Sequence, residues 1–138
     1  MKNIKRVCII DDDPVYVFGT RKIMEKANFC NEFSIFHNPE IALNNLSLAF
    51  EQNSELPEVI LLDINMPILD GWQLLEGLAK FQQLNNILIY VVSSSIAQED
   101  LLHVKKFPVV KAYLHKPLTP EVLKTIKEEF QRFSAHVN

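Results

Sequence analysis

Short apolar runs alternate with longer stretches whose apolar positions recur every three or four residues, and the two periods take turns along almost the whole chain. Val7-Cys8-Ile9-Ile10, Val59-Ile60-Leu61-Leu62 and residues 87–92 are continuously apolar. Runs of that length suit strands buried on both faces. The first strand is expected over Ile4–Ile10. Pro14 has the fixed φ of a first helical position, and Asp13 before it is pushed out of the helical region. Asp13 therefore reads as an N-cap, of a helix reaching about residue 27. Residues 32–36 are expected to form a second, more amphipathic strand at an edge. Asn38-Pro39-Glu40 opens a second helix by the same logic, running to the polar patch near residue 53. Residues 59–62 make the third strand, and Asp70-Gly71 starts a third helix ending near residue 81. Residues 87–92 make the fourth strand. A helix over about 97–107 follows, with Pro108 to end it. A short fifth strand is expected over residues 111–114. Thr119-Pro120-Glu121 caps the last helix, whose Val122, Leu123, Ile126, Phe130 and Phe133 share one face. Five β-α units with short connections imply a parallel α/β sheet with helices on both faces and right-handed crossovers.

The 138 residues fit one domain, with no linker, low-complexity tract or fixed-period repeat, so a single domain over 1–138 without an output domain is expected. The apolar fraction of 48% is enough for a core, and the net charge of −3 comes without any basic run. That balance argues against direct nucleic-acid binding. No apolar stretch approaches the roughly 18 residues needed to span a bilayer. The basic start of the chain leads into an apolar run that stops at Asp11, too short and too acidic at its end for a signal peptide. Cys8 and Cys30 lie in apolar surroundings without metal-ligand spacing and read as free thiols in a reducing cytoplasm. His37, His103, His115 and His136 fall on unrelated elements and are not a metal set.

Chemistry enters at the strand ends. Asp11, Asp12 and Asp13 follow the first strand, Asp63 the third, Ser93 the fourth and Lys116 the fifth. In an open parallel sheet these ends lie on one edge, where ligands bind. Carboxylates crowded there repel by roughly 4 kcal/mol per pair at an effective dielectric of about 20, so a cation is expected among them. Two or three carboxylates offer the oxygen ligands that Mg²⁺ prefers, and a further one can act as nucleophile toward phosphorus. A hydroxyl and an ammonium can then bind phosphoryl oxygens. Asp13 reads as the helix cap rather than a ligand. Trp72 is open between a partner contact near the active edge and a buried residue of the third helix.

Four segments, Ile9-Ile10-Asp11-Asp12-Asp13-Pro14, Asp63-Ile64-Asn65-Met66-Pro67-Ile68-Leu69-Asp70-Gly71, Val91-Val92-Ser93-Ser94-Ser95 and Tyr113-Leu114-His115-Lys116-Pro117, together resemble the receiver domain of bacterial two-component response regulators. The resemblance covers nearly the whole chain. It implies the flavodoxin-like receiver fold, a doubly wound five-stranded sheet of order 2-1-3-4-5. By position, Asp63 matches the aspartate phosphorylated by a histidine kinase. Asp11 and Asp12 match the acidic pair that holds Mg²⁺, and the backbone carbonyl of Asn65 matches a further metal ligand. Ser93, 30 residues beyond Asp63, matches the switch hydroxyl. Tyr113 matches the switch aromatic, Lys116 the phosphoryl-binding lysine, and Pro117 the proline whose preceding peptide bond is cis in the family. The implied partners are a sensor histidine kinase or histidine phosphotransfer protein and a downstream protein target. A homodimer through the fourth helix, fifth strand and fifth helix is a further implied contact.

Two departures stand out. Asp63 lies 51 residues after Asp12, farther than the family pattern, with the excess in the second helix and residues 51–58. After the fourth helix the chain reads Phe107-Pro108-Val109 where Gly-Ala is common. The rival readings are a phosphatase or phosphotransferase forming an aspartyl phosphate, and an interaction module without phosphorylation. The first usually needs an acid two residues after the nucleophile, where this chain has Asn65, and a cap domain.

Overall fold

The computed structural model describes residues 2–95 and 97–136. Strands β1 (Ile4–Ile10), β2 (Cys30–Phe36), β3 (Val59–Asp63), β4 (Leu88–Ser93) and β5 (Val110–His115) alternate with helices α1 (Pro14–Lys26), α2 (Pro39–Gln52), α3 (Gly71–Leu78), α4 (Gln98–Lys106) and α5 (Pro120–Ser134). The strands form one parallel sheet in the order β2-β1-β3-β4-β5. This is the expected doubly wound fold, with β2 at an edge.

Alternation along the strands divides the core in two. Cys8, Ile10, Ile60, Leu62, Ile89 and Val91 face Ala42, Leu46 and Phe50 of α2 and Leu74, Leu75 and Leu78 of α3. Val7, Ile9, Val59, Leu61, Tyr90 and Val92 face Val17 and Met24 of α1 and Leu123, Ile126 and Phe130 of α5. The caps form as their sequences imply. Asp13 Oδ1 accepts from the backbone N–H groups of Val15 and Tyr16, Asn38 from those of Glu40 and Ile41, and Thr119 from that of Val122.

The boundaries differ from expectation in identifiable places. β2 begins at Cys30, two residues early, because its first residue already pairs with Ile4. α3 ends at Leu78 rather than near residue 81. Phe81 leaves the helix to pack against Phe50, ring centroids 5.1 Å apart, and a short 3₁₀ helix, Gln82–Asn86, leads into β4. β3, β4 and β5 each extend one residue beyond the expected end, so Asp63 and Ser93 are the last residues of their strands rather than the first beyond them. Of residues 51–58, the first two end α2 and the rest form a loop with Asn53 and Glu55 at positive φ, where Arg6 Nη1 donates to the Glu55 carbonyl at 2.7 Å.

Candidate functional site

The strand order reverses direction between β1 and β3, and the site lies at their carboxyl ends, as expected for such a sheet. Ile10 is in register with Leu62, which brings the next residues, Asp11 and Asp63, side by side. Carboxylate oxygens of Asp11, Asp12 and Asp63 all lie within 4.8 Å of one another. Asp11 and Asp63 are buried and Asp12 is exposed. On the other flank, β5 is fixed to β4 by pairing of Ser93 with His115 and by a bond from the Lys116 N–H to the Ser93 carbonyl at 2.9 Å. That ladder delivers the Lys116 ammonium 2.7 Å from Asp11 Oδ2 and 3.6 Å from Asp63 Oδ2.

Three carboxylates and one ammonium leave surplus negative charge in a half-buried pocket. Burial, and then the charges of Asp11 and Asp12, push the Asp63 carboxyl up to about 6, against the lowering effects of the Asn65 backbone N–H and Lys116. Asp63 is still ionised at neutral pH. Burial alone would lower the Lys116 ammonium, but the hydrogen bond to Asp11 and the charges of Asp11 and Asp63 outweigh it, so the ammonium titrates above its usual range. The donor set is all oxygen and in charge excess, which fits a hard divalent cation such as Mg²⁺. Asp13 turns away to cap α1, as its sequence context implies.

The loop after Asp63 holds the acceptor strand. Asp63 Oδ1 accepts from the Asn65 N–H at 3.0 Å. Leu69 N–H donates to the Pro67 carbonyl at 2.7 Å around Ile68, which sits at φ 71°, strained for a β-branched residue. This turn brings Asp70 and Gln73 into a reciprocal capping box at the start of α3. Gly71 there lies against the backbone of Asp63, where a Cβ would come 2.8 Å from both the Asp63 carbonyl oxygen and the Ile64 Cα. In the sequence Asp70-Gly71 marks a helix start and part of the motif after Asp63. The close approach depends on how α3 meets β3 and leaves no local signal.

The Ser93 hydroxyl is fully buried and fully engaged. It accepts from Asn65 Nδ2 at 2.7 Å and from the Ser95 N–H at 3.1 Å, and donates to the Ser95 carbonyl. The Tyr113 ring packs partly buried against the core, with its hydroxyl 3.5 Å from the Ser93 carbonyl. The Lys116-Pro117 peptide bond is cis, as the resemblance implies. His115 is exposed on the last strand.

Trp72 is buried, which decides between its two readings. Its indole N–H donates to Asp100 Oδ1 at 3.1 Å, and its ring stacks on His103 and Phe107 at 5.1 and 5.6 Å. The contact joins α3 to α4 rather than to an external partner. Tyr16, which sequence reading passed over, carries the Lys116 ammonium above its ring at 4.2 Å. Burial pushes the Cys8 thiol up to about 12 and the Cys30 thiol up to about 11. Among the described residues no helix is long and apolar enough to cross a membrane.

Comparison with known proteins agrees with this geometry. The family model for the response regulator receiver domain matches residues 7–128. Protein PilH of Pseudomonas aeruginosa is 30% identical over 122 residues, covering 88% of this chain and 93% of that protein. BvgA of Bordetella pertussis, described as a putative positive transcription regulator of virulence factors, is 37% identical over 79 residues, and the match spans only 33% of its length. A two-component response regulator from Cytophaga hutchinsonii superposes with a TM-score of 0.85 at 27% identity, covering 95% of this chain and 99% of that one.

Proposed function

The chain belongs to the response regulator receiver domain family, a family of phosphoryl-accepting signalling switches, and on that premise we propose that its own acceptor is Asp63. The observation that carries the reading is the pocket itself. It holds three carboxylate oxygens within 4.8 Å of one another and an ammonium 2.7 Å from Asp11 and 3.6 Å from Asp63.

In this reading an ionised Asp63 oxygen attacks the phosphorus of a phosphohistidine. The new O–P bond forms as the P–N bond breaks, and the departing imidazole keeps the electron pair and takes a proton from water. Phosphoryl transfer asks a protein mainly for positioning and charge neutralisation. Receiver domains bind Mg²⁺ at an acidic pocket, and here Asp11, Asp12, Asp63 and the backbone carbonyl of Asn65 would hold it. Bound there, the ion supplies positive charge to the transferred oxygens. Lys116 leaves Asp63 to bind a phosphoryl oxygen. The Ser93 hydroxyl exchanges its bonds to Asn65 and Ser95 for another, and Tyr113, packed beside it, follows. The conformational response can be no larger than the difference in affinity of the phosphoryl group for the two arrangements.

Receiver domains interact with histidine kinases and downstream targets in general. For this chain we infer a sensor histidine kinase or histidine phosphotransfer protein as donor, a protein target as reader, and a cytoplasmic location. The surface of α4, β5 and α5 is a candidate homodimer contact. The chain acts here as one receiver unit that catalyses only its own phosphorylation and dephosphorylation. Incubation with a small phosphodonor and Mg²⁺, read by intact mass, tests the acceptor. The wild-type chain is expected to gain one phosphoryl group and Asp63→Asn none. Equal, Mg²⁺-dependent labelling of Asp63→Asn would refute the assignment.

A further inference from the structure

Among the described residues the Lys116 ammonium meets Asp11, Asp63 and Tyr16, and the first two change during the proposed reaction. Asp11 is one of the carboxylates that would hold the metal. Asp63 exchanges its free carboxylate for an acyl phosphate. The third neighbour, the ring of Tyr16, is altered by neither event. The ammonium lies 4.2 Å from the ring centroid. The other cation-aromatic pairs among the described residues are looser, at 5.0, 5.2 and 5.3 Å. The Lys116 side chain is only 15% exposed, so water screens this contact little.

The ring is itself held in place. Asp13 caps the first turn of α1 through the N–H groups of Val15 and Tyr16, which sets Tyr16 in that first turn, close behind Asp11 and Asp12 in the chain. Thr20, one turn further along the same helix, is buried. Resting on the reading of Asp63 and Lys116 above, we propose that Tyr16 is a positioning residue for Lys116. Its ring face keeps the ammonium at the pocket mouth while Asp11 and Asp63 pass to the ion and the phosphoryl group. The part that matters is the aromatic face.

The test compares Tyr16→Phe, which keeps the face, with Tyr16→Leu and Tyr16→Met, which remove it. All are first checked for a folded thermal transition. Two readouts are taken. The first is the NMR shift of the Lys116 ε-methylene in the metal-free, unphosphorylated protein. Ring current is expected to move it upfield in wild type and Tyr16→Phe, and not in either aliphatic variant. The second is the rate of labelling by a small phosphodonor at saturating Mg²⁺. The aliphatic variants are expected to slow it by about 2- to 30-fold, and Tyr16→Phe to restore most of the rate. An upfield shift that survives in Tyr16→Leu and Tyr16→Met, or wild-type labelling rates in both, would overturn the proposal. If the wild-type chain itself takes no label, the reading of Asp63 has failed. The methylene shift then decides by itself whether Tyr16 places Lys116.

Discussion

Helices α3 and α4 follow neighbouring strands that each end in a residue of the pocket, yet they are anchored in opposite ways. α3, behind Asp63, starts with a reciprocal capping box and buries Gly71, Trp72, Leu74, Leu75 and Leu78. α4, behind Ser93, has no capping side chain at Ala97 and buries none of its residues. Its first turn is held by Asp100, whose Oδ2 accepts from the Ala97 N–H and whose Oδ1 accepts from the Trp72 indole. Leu101 and Leu102 point into solvent. Elements that move are drawn from the least stable parts of a fold. In the proposed reading the acceptor would therefore be built on the better-anchored side and the responding segment, α4, on the looser one, with Trp72 as the joint.

The contrast can be broken most severely through the core. Leu75→Ala in α3 is expected to cost about 2–5 kcal/mol, whereas Leu102→Ala in α4 is expected to cost no more than about 0.5 kcal/mol. Urea unfolding of both variants checks this, and similar losses would remove the distinction.

Electrostatics sharpens the rigid side. Asp63 titrates near 6 in the fold, against 3.8 as the ordinary value. A raised carboxyl pKa means the folded state binds more protons than the unfolded one between those values, so its ionisation destabilises the fold as pH rises through that window. Asp63→Asn is therefore expected to raise the thermal midpoint of the metal-free protein at pH 7–8. The gain should fade as pH falls from about 6 toward about 4. A midpoint difference independent of pH would show that the three carboxylates are not in conflict.

A smaller effect is expected at the joint. Trp72→Phe keeps an aromatic ring but deletes the bond to Asp100, at a cost of about 1 kcal/mol. Amide exchange should quicken in α4 and stay unchanged in α3. Faster exchange spread over both helices would mean that Trp72 is only core packing.

These features were legible in the sequence to unequal degrees. Asp13-Pro14, Asn38-Pro39 and Thr119-Pro120 announce three helix starts because capping is local, and the structure begins α1, α2 and α5 there. The apolar runs before Asp11 and Asp63 were equally plain, and register then sets the two acids side by side. The end of α3 was not legible. Its apolar period continues to Phe81, and only packing on Phe50 draws that ring out of the helix. The contacts of Gly71, Trp72 and Tyr16 are hidden for the same reason. Each acts through a residue distant in the chain, namely the Asp63 backbone, Asp100 and Lys116. The roles of Asp63, Ser93, Tyr113 and Lys116 came from motif resemblance, and spacing alone would have left them an acid, a hydroxyl, an aromatic and an amine at one sheet edge.

The most direct measurement is hydrogen-deuterium exchange of the wild-type chain and of Asp63→Asn, each with and without a small phosphodonor in the presence of Mg²⁺. In the wild type, exchange is expected to change in the segment after Ser93 and in α4, with α3 unaltered, and Asp63→Asn is expected to show no donor-dependent change. A donor-dependent change of the same size in Asp63→Asn, or one centred on α3, would contradict a switch driven from Asp63 into α4.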